Sequence, residues 1–159
     1  MKDTLVVTNS KIESVAADDR WNESQLMLDI HKMGELLLLS AIRGSAKRTK
    51  MLLRLGANPN YRGGKFGDTA MTAAAIMGRR DIVELLIAYK ADVNIQDFDG
   101  GTPLIWATIG QHAELVQFLL ANGADPNIRE NNGQTALQLA IENNFTHIEQ
   151  ILREAGATE

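Results

Sequence analysis

The sequence predicts an all-α solenoid: about four stacked helix–turn–helix repeats behind an N-terminal helical cap. Three observations carry that prediction. The tetrapeptide Ala91-Asp92-Val93-Asn94 returns 33 residues later as Ala124-Asp125-Pro126-Asn127. Thr69, Thr102 and Thr135 keep the same spacing, ahead of short apolar stretches. Aromatics make up only 5% of the chain, so a core must be built from Leu, Ile, Val and Ala, which suits thin stacked helices. A fixed period of this length is the signature of a repeat architecture.

Residues 1–33 fall outside the period and read as an N-terminal extension with a capping helix. Asn22-Glu23-Ser24-Gln25 has the form of a capping box, with Trp21 before the cap and Leu26 placed for a hydrophobic staple. A helix is expected from about Glu23 to Lys32, lying over the open face of the first repeat. Residues 1–10 are expected to be loose.

The repeat domain then runs over 34–159, with copies at about 34–64, 65–97, 98–130 and 131–159. The first copy carries Ala57-Asn58-Pro59-Asn60 at an offset of 34, and the extra residue lies between Tyr61 and Asp68. The third copy shows the grammar best. Thr102 is placed as a helix N-cap, and Pro103 stands at the first helical position, where its missing N–H costs nothing. Leu104, Ala107 and Thr108 give helical spacing with small residues. Gly110-Gln111 breaks the helix. A second helix is expected from Ala113 to Ala121, ended by the C-cap Gly123. Neither helix is long enough to be stable alone, so each must bury a face on the next copy. In the second copy Lys90 replaces that C-cap glycine, at a cost of about 1 kcal/mol for a non-glycine residue in the left-handed region.

The end copies read as caps. Glu35 opens the first where Thr is usual, and Lys47, Arg48 and Lys50 replace apolar residues on its second helix. Glu149 and Arg153 replace Val116 and Leu120 in the fourth. Polar outer faces of this kind keep terminal repeats soluble.

These motifs resemble the ankyrin-repeat family over about residues 34–159. The resemblance rests on Gly100 to Leu104 (Gly-x-Thr-Pro-Leu), on Glu114-Leu115-Val116 with Leu119-Leu120, and on Asn122 to Asn127. Asp81 to Leu86 and Asn132 to Leu137 match in the second and fourth copies. Two departures stand out. Only the third copy has the Thr-Pro pair, and no copy has the family's His two positions after that Pro. Leu38, Thr72, Ile105 and Gln138 occupy those places. That His ties the turn network together in the family, so its absence bears on the rigidity of the turns.

No residues assemble into a catalytic, cofactor or metal site. The chain lacks Cys, which removes disulfides and thiolate zinc sites. His31, His112 and His147 have no second His at ligand spacing, and His112 reads as a structural hydrogen-bonding residue. Gly63 to Thr69 looks like a phosphate loop but lacks the Gly-Lys-Ser/Thr order and a strand before it. There is no Gly-x-Ser-x-Gly elbow, and the acids are dispersed rather than paired. The chain is therefore expected not to be an enzyme. No apolar run reaches the ~18 residues of a membrane helix. Within Met1 to Ser10 the apolar run Leu5-Val6-Val7 reads as too short for the apolar region of a secretory signal. A cytoplasmic monomer without a membrane contact is expected.

Charge is unevenly divided. The net −4 conceals +8 from Arg43 to Arg80 and −9 from Asp81 to Glu159. Binding of nucleic acid through 43–80 is disfavoured, because Tyr61 and Phe66 are the only aromatics there and the remainder is acidic.

The family resemblance implies binding of another protein on a concave side made of turns and first helices. It places Arg62, Lys65, Phe66, Asp68, Phe98, Asp99, Gly101 and Asn131 among variable turn positions. It places Ile42, Arg43, Ile76, Met77 and Ile109 late in the first helices. Ile42, Ile76, Met77 and Ile109 are apolar where the fold does not demand it, and with Phe66 and Phe98 they form the expected contact stripe. Arg43, Arg62 and Lys65 would meet an acidic patch on the partner. Trp106 reads mainly as packing between repeats. Alternatives to an adaptor or regulator are a stoichiometric, immunity-type inhibitor of one enzyme, or a solenoid that assembles with itself through its basic head and acidic tail.

Overall fold

A computed structural model describes residues 33–158. The capping box at Asn22, the helix expected from Glu23 and the stretch 1–10 lie outside the described residues. Among those described there are eight helices and no strands. The first helices of the four repeats are α1 (Met33–Ile42), α3 (Ala70–Ile76), α5 (Pro103–Ile109) and α7 (Ala136–Glu142). The second helices are α2 (Ala46–Arg54), α4 (Arg80–Ala88), α6 (Ala113–Ala121) and α8 (Thr146–Glu154).

The threonines start the first helices as their spacing predicts. Thr69, Thr102 and Thr135 are N-caps whose hydroxyls accept from the backbone N–H of Thr72, Ile105 and Gln138. In α3 and α7 the cap is reciprocal. The side chains of Thr72 and Gln138 accept from the N-cap N–H at 2.9 and 3.0 Å. Both stand where the family has its His, so a capping box restores order at two of the four turns. The first copy differs from expectation. Glu35 lies within α1 instead of standing as an N-cap ahead of it.

The recurring tetrapeptide has a physical reason. Its first polar side chain closes its own turn: Asn58, Asp92 and Asp125 accept from the N–H two residues on, each at 2.9 Å. The following Asn reaches the next repeat. Oδ1 of Asn60, Asn94 and Asn127 accepts from the N–H of Asp92, Asp125 and Thr158, each at 2.8 Å. The sequence period is thus a ladder of inter-repeat hydrogen bonds, each made by the residue that defines the period.

Apolar burial fills the space between. Leu37, Met71, Leu104 and Leu137 recur at one register of the first helices and are at most 1% exposed. Leu52, Leu86, Leu119 and Leu152 recur likewise in the second helices and are at most 4% exposed. Ser40, Ala74, Ala107 and Ala140 form a column of small residues that lets successive first helices approach. The Ser40 hydroxyl donates to the Leu37 carbonyl at 2.8 Å and pairs with Thr49 Oγ1 at 2.8 Å, so this buried polar pair is satisfied. First helices contact one another more extensively than second helices do, and they line the side of the stack that the family resemblance implies is hollow.

Left-handed residues punctuate the turns, and among the described residues three of them, Lys90, Gln111 and Asn144, are not glycine. Lys90 has φ 66°, as its alignment with Gly56, Gly123 and Gly156 predicts. Between α5 and α6 the left-handed residue is Gln111 (φ 59°), while Gly110 stays right-handed. The polar cap of the first repeat is narrower than expected. Lys47 and Lys50 align with exposed polar residues in every copy, and only Arg48 occupies a register otherwise held by the buried Ile82, Leu115 and Ile148. At the other end Arg153 pairs with Glu149 at 2.9 Å.

Asn94 carries two bonds of the ladder, since its Nδ2 also donates to the Gly123 carbonyl at 3.2 Å. Replacing Asn94 by Ala is expected to lower unfolding free energy by about 1–2 kcal/mol. Urea titration of both proteins followed by circular dichroism checks this.

Candidate functional site

The last residue of each first helix defines the hollow side. Ile42, Ile76 and Ile109 end α1, α3 and α5 at the same register, and they are 43%, 38% and 40% exposed. The next repeat does not cover them. Its own turn residues pack beside the backbone instead. His112 Nε2 lies 3.0 Å from the Ile76 carbonyl oxygen, with its ring against Gly78 and Gly110. That contact gives His112 a structural hydrogen bond. Met77 and Arg43, one residue beyond the helix ends, are also exposed.

Leu39 belongs to this surface and sequence reasoning missed it; it is exposed at a register shared with Ala73, Trp106 and Leu139. Within the unbroken run Leu36 to Leu39, hydrophobicity carries no periodicity to tell the outward residue from the inward ones.

The projecting turns form the second part of the surface. Each closes on a backbone bond: Gly63 N–H to Asp68 (2.8 Å), Asp97 N–H to Gly101 (3.1 Å), Glu130 N–H to Gln134 (3.0 Å). The longer first turn absorbs the extra residue of that repeat. In the other two a carboxylate organises the tip. Asp97 Oδ1 accepts from the N–H of Asp99 and Gly101 at 3.0 and 2.8 Å. Glu130 accepts from the N–H of Asn132 and Gln134 at 2.9 and 3.1 Å. Neighbouring tips are tied together by Phe98 N–H to the Phe66 carbonyl and Asn131 N–H to the Asp99 carbonyl, both 2.9 Å. These bonds hold the turns in place without the family's His.

Phe66 and Phe98 are 54% and 59% exposed. Lys65 Nζ lies 5.5 Å from the centre of the Phe66 ring. One side of the Phe98 ring rests on Gly67, where a Cβ would approach to 2.4 Å. Arg62, Lys65, Asp99 and Asn131 are exposed. Asn131 is nonetheless committed to structure, since its Nδ2 donates to the Phe98 carbonyl at 2.8 Å. Gly101 is not a variable surface position: it is buried, and a Cβ there would meet Trp106 Nε1 at 2.4 Å.

Trp106 is half-buried and both packs and lines the surface. Its Nε1–H donates to Asp97 Oδ2 at 2.6 Å, fixing the indole. On one side lies a hollow of about 310 Å³ bordered by Asp99, Ile105, Ile109, Glu130, Gln134 and Leu139. On the other lies one of about 60 Å³ bordered by Asp68, Thr72, Ala73 and Ile76. Asp68 is half-buried there, and loss of solvent, then the charges of Asp97 and Asp99, raise its carboxyl above the ordinary value of 3.8.

Among the described residues, no group of three His, Cys, Asp or Glu could hold a metal ion. None of the described helices is long and apolar enough to cross a membrane. The Gly63 to Thr69 stretch is the first projecting turn, and its Thr69 is spent as a helix cap. The arrangement offers a firm, partly apolar surface with fixed charges.

Comparison with known proteins agrees with this architecture. The sequence model of a family described as ankyrin repeats (3 copies) matches residues 22–97 and 91–158. Regulatory protein NPR6 of Arabidopsis thaliana is 42% identical over 71 residues, 43% of this chain and 15% of that protein. The 2-5A-dependent ribonuclease of Homo sapiens is 38% identical over 74 residues, 46% of this chain and 10% of the enzyme. Protein phosphatase 1 regulatory subunit 12A of Mus musculus is 32% identical over 93 residues, 55% of this chain and 9% of the subunit. The chain thus spans a small fraction of the length of these relatives.

The Asp68 carboxyl gives a signed prediction. Its folded-state value is raised, so the folded state favours its protonated form. Asp68→Asn is expected to raise the urea midpoint at pH 7. The advantage should shrink as pH falls through the raised value and vanish below about 3.8. Paired urea titrations across that range check it.

Proposed function

Because the chain belongs to the ankyrin-repeat family, a protein-interaction fold, we propose that it works without catalysis, holding a partner protein across its hollow side and turn tips. One observation carries this reading. Ile42, Ile76, Met77, Ile109, Phe66 and Phe98 are large apolar side chains left exposed on that side of the stack. Exposed apolar patches rimmed by polar groups mark interaction sites. Leu39 extends the stripe at the first repeat. The names of the relatives, two of them regulatory, support a regulator or adaptor over a structural filament.

The rim supplies direction. Arg43, Arg62 and Lys65 lie on the first two repeats, while Asp99, Glu130 and Glu142 lie on the last two. A partner with its acidic end over the first repeats matches this division. Such complementarity acts mainly on association rate and orientation. The chain acts as a monomer in the cytoplasm in this reading. An inhibitor of one enzyme would be the special case in which a single partner is retained.

Affinity capture from native lysate, read by quantitative mass spectrometry, tests the proposal. The wild type is compared with Ile76→Asp and with the double variant Phe66→Ala, Phe98→Ala. Retained partners should fall by about 10-fold or more, as expected for central apolar contacts, with circular dichroism unchanged. Equal retention by folded variants rejects the hollow side as the binding face.

For the partner so obtained, Arg43→Glu with Lys65→Glu should slow association and flatten its dependence on salt. Stopped-flow or surface-based kinetics at low and high salt read this directly. Unchanged kinetics would remove the electrostatic part of the reading.

A further inference from the structure

We infer that the hollow between the third and fourth repeats receives a cationic side chain, an arginine or lysine, presented by the bound partner. This rests on the binding function proposed above and assigns a chemistry to one part of the surface. At about 310 Å³ the hollow is large enough to enclose a ligand group. Trp106, Ile109 and Leu139 give it apolar lining. Its rim carries the carboxylates of Asp99 and Glu130 and the amide of Gln134. Arginine and lysine have matching anatomy, an apolar stem ending in a charged head.

The side chains around the hollow are set for that head. Trp106 spends its N–H on Asp97, so a ligand meets the indole ring, which attracts cations through its face. Glu130 is held by three donors from Asn132 and Gln134 and keeps its charge fixed at the rim. Among the described residues no donor is bound to the Asp99 carboxylate. Glu142 adjoins the rim, accepting from Gln134 Nε2 at 2.6 Å. Arg129, from the same turn as Glu130, is directed to the Gly133 carbonyl at 2.6 Å and to Gln138 Oε1 at 3.1 Å.

The earlier repeats do not reproduce this chemistry. Glu142 stands at the register of Ile42, Ile76 and Ile109. Between the second and third repeats the hollow shrinks to about 60 Å³. The segment 43–80 carries +8, against −9 for 81–159, so a cation is favoured at this hollow and repelled from the first two repeats.

The test needs no partner. The full chain, labelled with ¹⁵N, is titrated with N-acetyl-arginine methylamide and, separately, with the neutral isostere N-acetyl-citrulline methylamide. The Trp106 indole N–H, told from that of Trp21 by a Trp21→Phe sample, and the Asp99 and Asn131 amides should shift with arginine. Citrulline should bind about 10-fold more weakly, the loss expected for charge-assisted contacts. Asp99→Asn with Glu142→Gln should weaken arginine binding by a similar factor, with unfolding midpoints unchanged. Equal binding of the two amides, shifts confined to other repeats, or no saturable shift overturns the assignment. Any of those results leaves the partner-capture experiment standing, because Ile76 and the phenylalanines are read there independently of this hollow.

Discussion

Helices of seven to ten residues cannot hold themselves together in water, and each pair in this chain keeps its shape only by leaning on the next. Lateral stacking therefore governs every other feature. It requires one apolar side chain at a fixed register of each helix, met by Leu37, Met71, Leu104 and Leu137 in one layer and by Leu52, Leu86, Leu119 and Leu152 in the other. It also requires the backbones of successive first helices to come close, which the column of Ser40, Ala74, Ala107 and Ala140 allows. The Asn60, Asn94 and Asn127 ladder then fixes the distance between copies, because a side-chain amide has one reach.

Periodic constraint is what made this fold legible from sequence. The threonine caps, both helices of the third repeat and the left-handed Lys90 follow from register alone, since a residue aligned to a cap or turn inherits its backbone. The exposed isoleucines follow for the same reason: they fall at helix ends that the next copy does not reach. What the sequence did not reveal depends on contacts outside the period. The Trp106–Asp97 bond joins a helix residue to a turn residue and needs the bare backbone of Gly101 between them. Leu39 lies in a run of four leucines, whose uniform hydrophobicity gives no phase.

The separation between packing residues and surface residues is not complete. Ile42, Ile76 and Ile109 expose large parts of their side chains, and the stack does not depend on covering them. Phe98 and Asn131 face outward yet also tie one turn tip to the next, through Gly67 and through the Phe98 carbonyl. Trp106 forms a wall between two hollows while its N–H secures a tip. A row of turns braced in this way presents its side chains with little freedom to lose, so less ordering cost opposes association.

The hollow side also changes character along its length, and the change occurs at one register. Three successive first helices end in isoleucine and the fourth ends in Glu142. Over the same span the rim passes from Arg62 and Lys65 to Asp99 and Glu130. A uniform apolar groove would accept an elongated partner in either direction, since burial of apolar area has no orientation. A groove that ends in charge of one sign and begins in the other does not, because reversal sets like charges against one another. Polarity of this kind costs the stack nothing, as none of these charged side chains is buried in its core.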